Sequence, residues 1–102
     1  MTDISKLDLN LLVTLDTLLA ERNVTHAARR LNLSQPAIST RLTRLRDLLG
    51  DPLLLPAQRG MIPTERALEL QEPLHQALES VRRVVAENSP FDPSTVTATI
   101  AI

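Results

Sequence analysis

Residues 34 to 47 bring together side chains that can form hydrogen bonds but are poorly suited to breaking covalent bonds. If this segment is helical, Pro36, Thr40, Thr43, Arg44 and Asp47 share one face, with Gln35 and Ser39 on one flank and Arg41 on the other. An amide such as Gln35 can pair bidentately with adenine, a guanidinium such as Arg41 or Arg44 can reach guanine or a phosphate, and threonine methyl groups can touch thymine methyls. The chemistry on offer is recognition of a polar, anionic surface. Catalysis finds little to stand on: cysteine is absent, and nothing resembles a nucleophile elbow or a paired carboxylate cleft. The two histidines, His26 and His75, lie far apart with no carboxylate cluster near either in sequence, so neither reads as a metal ligand.

Those side chains need a helix with a buried back. Ile38, Leu42, Leu45 and Leu49 recur at helical spacing and form a narrow apolar stripe. Ser34 is a good N-cap and Pro36 is tolerated in a first turn, so a helix is predicted from Gln35 to about Leu49. Before it, Asn23 can cap a short helix whose inward stripe is Val24, Ala27, Ala28 and Leu31, ended by Asn32-Leu33-Ser34. Upstream, Leu11, Leu12, Leu15, Leu18 and Leu19 predict a helix over 8–22 with Asp8 as its cap. Two helices joined by a turn of about three residues, the second polar in front and apolar behind, have the geometry a major groove admits.

Beyond Gly50-Asp51-Pro52, the runs Leu53-Leu54-Leu55 and Met61-Ile62 flank a short loop, Pro56 to Gly60, and predict a two-stranded wing. Thr64 then caps a long helix to about Asn88, in which Ala67, Leu70, Leu74, Ala77, Leu78, Val81 and Val84 recur in steps of three and four like a coiled-coil seam. Pro73 interrupts it and predicts a bend. From Thr95 to Ile102, alternation of Val96, Ala98, Ile100 and Ile102 with small residues predicts a strand, and a larger α/β domain is expected to follow. The predicted organisation is a mainly α winged helix-turn-helix (three helices plus a β-hairpin wing) over 1–63, a dimerisation helix over 64–88, and a hinge with a first strand over 89–102.

Charge is distributed unevenly. The net charge of the 102 residues is −1, yet residues 22–66 carry Arg22, Arg29, Arg30, Arg41, Arg44, Arg46, Arg59 and Arg66 against Asp47, Asp51 and Glu65. Arginine, whose planar fork suits phosphate and guanine, is the sole cation type in that window. Arg29 and Arg30 read equally well as solvated helix surface, and Arg82 and Arg83 as surface or dimer-rim charges. The apolar 43% is aliphatic, with Phe91 the single aromatic, which suits helix packing. Neither a basic leader at Met1-Thr2-Asp3 nor a membrane-length apolar run is present, so a cytoplasmic protein with no membrane partner is expected.

Three stretches carry a family resemblance: VTHAARRLNLSQPAIS from Val24 to Ser39, LRDLLGDPL from Leu45 to Leu53, and RGMIPT from Arg59 to Thr64. In order and without gaps, from about residue 8 onward, they resemble the DNA-binding front third of LysR-type transcriptional regulators. The resemblance implies a winged helix-turn-helix reading double-stranded DNA as a homodimer, with base contacts at Gln35, Pro36, Ser39 and Thr40. Thr43 joins these from its place on the exposed face. Phosphate contacts are implied at Thr25, Ser34 and Thr64, and Arg41 and Arg44 are further candidates by charge. Arg59 would enter a minor groove, where narrow A·T tracts concentrate negative potential. The long helix would pair antiparallel with its twin and set the spacing of two half-sites in an interrupted inverted repeat. A small-molecule effector is implied for the following domain alone, and no cofactor for this segment. Two positions depart from the family pattern, which commonly has Phe at the position of Leu54 and a phosphate-binding Arg at that of Pro56. A competing reading, with the helix-turn-helix as scaffold, makes residues 64–88 a docking helix for another protein.

Overall fold

The computed structural model describes residues 3–87. The predicted strand over 95–102 and the hinge before it lie outside the described residues. After a 3-10 turn at Ile4–Lys6 come α1 (Leu9–Glu21), α2 (Val24–Leu31), α3 (Gln35–Leu49), β1 (Leu54–Pro56), β2 (Met61–Pro63) and α4 (Glu65–Glu87). This is a mainly helical winged helix-turn-helix with a two-stranded antiparallel wing. No described helix is long and apolar enough to cross a membrane.

Local chemistry sets the boundaries of the helices. Asp8, Asn23 and Ser34 each accept a hydrogen bond from a first-turn amide, those of Asn10, His26 and Ala37 respectively. These amides would otherwise be orphan donors. Arg22, Asn32 and Gly50 close α1, α2 and α3 in the left-handed conformation. Only the glycine adopts it without a side-chain penalty.

The core is built from facing stripes. Leu11, Leu15, Leu18 and Leu19 of α1 meet Ala27 and Ala28 of α2 and Ile38, Leu42 and Leu45 of α3. The paired alanines, 0% and 5% exposed, occupy the helix-turn-helix contact, where small side chains let backbones approach. Each buried leucine contributes about 2 kcal/mol relative to exposure. Thr14 and Thr17 sit among these residues with their hydroxyls donating to the carbonyls one turn back, Asn10 at 2.8 Å and Val13 at 3.0 Å.

The segment after α3 is held by polar contacts. Arg46 donates from Nε to the Pro52 carbonyl at 2.8 Å and from a terminal nitrogen to that of Leu54 at 2.7 Å. Leu53 is fully buried with φ +63°, and the Leu54 amide reaches back over it to the Pro52 carbonyl at 2.6 Å. That is a three-residue turn of the strained, positive-φ kind. Asp51 braces it, accepting from the Leu53 amide at 2.8 Å and the Thr64 hydroxyl at 2.7 Å. Leu54 is also fully buried, so this leucine fills the base of the wing. The strands pair Leu54 with Pro63, Leu55 with Ile62 and Pro56 with Met61, leaving a tighter loop than predicted, residues 57–60.

α4 continues through Pro73 as one helix. Its first half packs on the rest of the molecule: Ala67 belongs to the common core, and Leu70 and Leu74 lie against it. Gln71 donates to the Leu19 carbonyl at 3.4 Å, and His75 Nδ1 lies 3.2 Å from Oδ1 of Asp16 on α1.

Candidate nucleic-acid interface

Burial of Ile38, Leu42 and Leu45 turns the other side of α3 outward. Gln35, Pro36, Ser39, Thr40, Thr43 and Arg44 are all exposed. Thr43 donates its hydroxyl proton to the Ser39 carbonyl at 3.1 Å, which leaves its methyl group as an apolar contact. At the start of the helix, Ser34 is engaged by the Ala37 amide, and Pro36 has no N–H to satisfy. The Ile38 amide donates to the Ser34 carbonyl, so the Gln35 N–H and the positive end of the helix dipole are what favour an anion there.

α2 adds to the same surface. Its second residue, Thr25, is exposed and accepts a hydrogen bond from Nε2 of Gln35 at 2.8 Å, joining the first turns of the two helices. The wing meets the chain just before α2. The Met61 amide donates to the Arg22 carbonyl at 2.8 Å, and Gly60 passes close to both Arg22 and Asn23. Arg59 is exposed next to that crossing. The starts of α2 and α3 and the wing loop are therefore linked by direct contacts.

Not every predicted contact residue is equally available. Arg41 donates to Thr14 Oγ1 at 3.1 Å and the Asn10 carbonyl at 3.5 Å, so it ties α3 to α1. The Thr64 hydroxyl donates to Asp51 and accepts from the Ala67 amide at 3.1 Å, so it caps α4 and braces the turn beneath the wing. These bonds hold the Asp51 carboxyl below the usual carboxylate range, the Thr64 hydroxyl first and the Leu53 amide second. Arg44, by contrast, has no hydrogen-bond partner among the described residues and lies near Asp47 at the rim of a groove. Arg30 is paired with Glu21 at 3.0 Å.

The expected seam on α4 divides in two. Ala67 is fully buried within the chain, Leu70 and Leu74 cover its core, and Leu78 is 7% exposed. Ala77 is exposed, and Val81 and Val84 are 49% and 59% exposed. Arg82 is paired with Glu79, and Arg83 donates to the Ser80 hydroxyl. His75, half exposed, contacts the nearly buried Asp16, and no cluster of three metal-ligating side chains occurs among the described residues. Sequence reasoning did not foresee the roles of Arg46, Asp16 or the Thr64–Asp51 pair. Of these only Asp51 left a local signal, since an Asp two residues before a turn amide is a common side-chain-to-backbone brace.

Residues 9–68 match the profile of the bacterial regulatory helix-turn-helix protein, lysR family. The chain belongs to this family. Nodulation protein D 1 of Bradyrhizobium sp. (strain NC92) is 47% identical over 88 residues, 86% of this chain and 28% of that protein. Among solved structures, a probable transcriptional regulator from Pseudomonas aeruginosa superposes with a TM-score of 0.82 at 41% identity, covering 88% of this chain and 30% of that one. The BenM DBD/catB site 1 DNA complex gives a TM-score of 0.74 at 25% identity, over 79% and 91% of the two chains. This LysR-family chain thus spans less than a third of the nodulation protein's length.

Proposed function

We propose that this LysR-family chain reads double-stranded DNA and forms a homodimer, as the front segment of a regulator whose following domain responds to a small molecule. The exposed polar start of α3, joined to α2 through Gln35–Thr25 and flanked by a wing fixed on Arg22, carries this reading. Likeness to a DNA complex supports it. α3 enters the major groove, with Gln35, Pro36, Ser39, Thr40 and the Thr43 methyl facing base edges. Thr25, Ser34 and Arg44 contact phosphates, while Arg41 and Thr64 serve mainly to hold the reading surface in shape. Arg59 enters the adjacent minor groove.

The exposed outer half of α4, with Val81 and Val84, pairs with a second copy and spaces two half-sites of an interrupted inverted repeat. The unit boundaries are those read from the sequence, at 63/64 and 88/89, with the first half of α4 docked on the reading domain. Selection of bound sites from random duplexes tests the whole reading. A two-fold-symmetric motif with a fixed spacer is expected. A protein that stays monomeric at micromolar concentration and binds no duplex would instead favour α4 as a docking helix for another protein.

A further inference from the structure

The hydrogen bond from Gln35 to Thr25 differs from the other side-chain bonds at the exposed starts of α2 and α3. Asn23 and Ser34 each bond to a backbone amide three residues on, whereas Gln35 reaches a side chain on the neighbouring helix at 2.8 Å. Both side chains are exposed, so packing does not force them together. An amide nitrogen carries two protons and an amide oxygen two lone pairs. When the proton given to Thr25 is the one trans to the amide oxygen, Gln35 keeps the proton beside that oxygen, and the two lie adjacent in one plane.

That remaining pair complements one base edge well. In the major groove adenine presents an acceptor, N7, beside a donor, the N6 amine, while guanine presents two acceptors, N7 and O6. One proton and one oxygen satisfy adenine fully and leave guanine half unsatisfied. An unrestrained glutamine could turn to offer its nitrogen alone, whereas a Thr25 hydroxyl that gives its own proton to a DNA phosphate is left as an acceptor and selects one orientation. We propose that Thr25 is a specificity-determining positioning residue, holding the Gln35 amide in the orientation that accepts adenine. The Thr25 hydroxyl still has its own proton to donate, so the same oxygen can join a phosphate contact to the base contact. This inference rests on the start of α3 facing DNA bases.

The test is site selection from random duplexes with the full chain as wild type, Thr25→Val, Thr25→Ser and Gln35→Ala. Valine keeps the branched shape and removes the hydroxyl; serine keeps the hydroxyl. The wild type is expected to select adenine at one position of each half-site and Gln35→Ala to lose that selection. Thr25→Val is expected to reduce the adenine preference there by about tenfold while preferences elsewhere in the site persist, and Thr25→Ser to restore it. If Thr25→Val weakens binding to every sequence by the same factor, Thr25 contacts phosphate only and the proposal is overturned. It is overturned equally if Thr25→Val selects as the wild type does. If the wild type selects no base, or Gln35→Ala changes no position, the underlying reading of α3 fails and takes the proposal with it. Circular dichroism melts of the variants verify that each is folded under the binding conditions.

Discussion

A β-carbon built on Gly60 would stand 2.4 Å from the carbonyl oxygen of Arg22, closer than side-chain carbons come to backbone. Gly60 also has φ +83°, which other residues rarely adopt. The crossing is this tight because the next residue, Met61, donates its amide to the same oxygen at 2.8 Å. Gly60→Ala is therefore expected to lower stability by about 1–3 kcal/mol and to displace the wing. Urea denaturation gives the first effect, and loss of DNA affinity under conditions where the variant remains folded gives the second. A variant with wild-type stability and affinity would show that the crossing is dispensable.

Asp51 makes stability depend on pH in a defined direction. Its folded carboxyl is held below its ordinary value by the Thr64 hydroxyl and the Leu53 amide. The contribution is fully present above the unfolded value of about 3.9 and is lost as pH falls from there through the lower folded value. Asp3, lowered by Ser5, acts in the same direction, so comparison between variants isolates Asp51. Asp51→Asn is expected to melt at a lower temperature at pH 7 and to lose less stability than the wild type between pH 5 and pH 3, as read by thermal melts across that range.

Arg41 and Arg44 occupy one helix and should fail in different ways. Arg41 bonds to Thr14 and Asn10, so Arg41→Ala is expected to cost about 1 kcal/mol of folding stability. Arg44→Ala should leave the melting temperature nearly unchanged and reduce the slope of log affinity against log salt by about 0.9. Salt titrations and melts of both variants decide it. If the two sets of effects were exchanged, the assignment of roles would be wrong.

The Asp16 carboxylate is nearly buried and faces His75 across the α1–α4 contact. His75→Ala should destabilise the fold by about 1–3 kcal/mol, because the carboxylate loses its partner. Asp16→Ala added to it should cost less than the two single changes combined. Additive losses in a double-mutant cycle would mean that the pair contributes no coupling.

On the outer half of α4, Val81→Asp should weaken self-association at least tenfold while the melt of the monomer is little altered, since Val81 is 49% exposed. Sedimentation equilibrium over a concentration series measures this. The variant should also lose binding to paired half-sites more than to a single one.

The helices were legible in the sequence because each carried its own cap and stripe: Asp8, Asn23 and Ser34 mark the starts at which α1, α2 and α3 begin. The outward face of α3 was legible for the same reason, since Ile38, Leu42 and Leu45 dictate what is left outside. Arg41 and Thr64 illustrate the limit. Their types suited phosphate, but their partners Thr14 and Asp51 lie 27 and 13 positions away, and no local pattern reveals such a pairing. Ala67, on the seam of α4, is claimed by the chain's own core for a similar reason: periodicity shows which face is apolar but not what covers it.

Beyond the buried Leu53 and Leu54 side chains and the Asp51 brace, the wing is fastened on main-chain carbonyls. The Arg22 carbonyl receives Met61, the Leu53 carbonyl receives Thr64, and the Pro52 and Leu54 carbonyls receive Arg46. A main-chain acceptor is offered by any amino acid, so the residues carried outward at Leu55, Gln58, Arg59 and Ile62 are not needed to keep the hairpin in place. Descendants of this sequence could exchange those side chains, and with them the groove surface they prefer, without redesigning the mount. The wing is a tool holder whose bits can be changed one at a time.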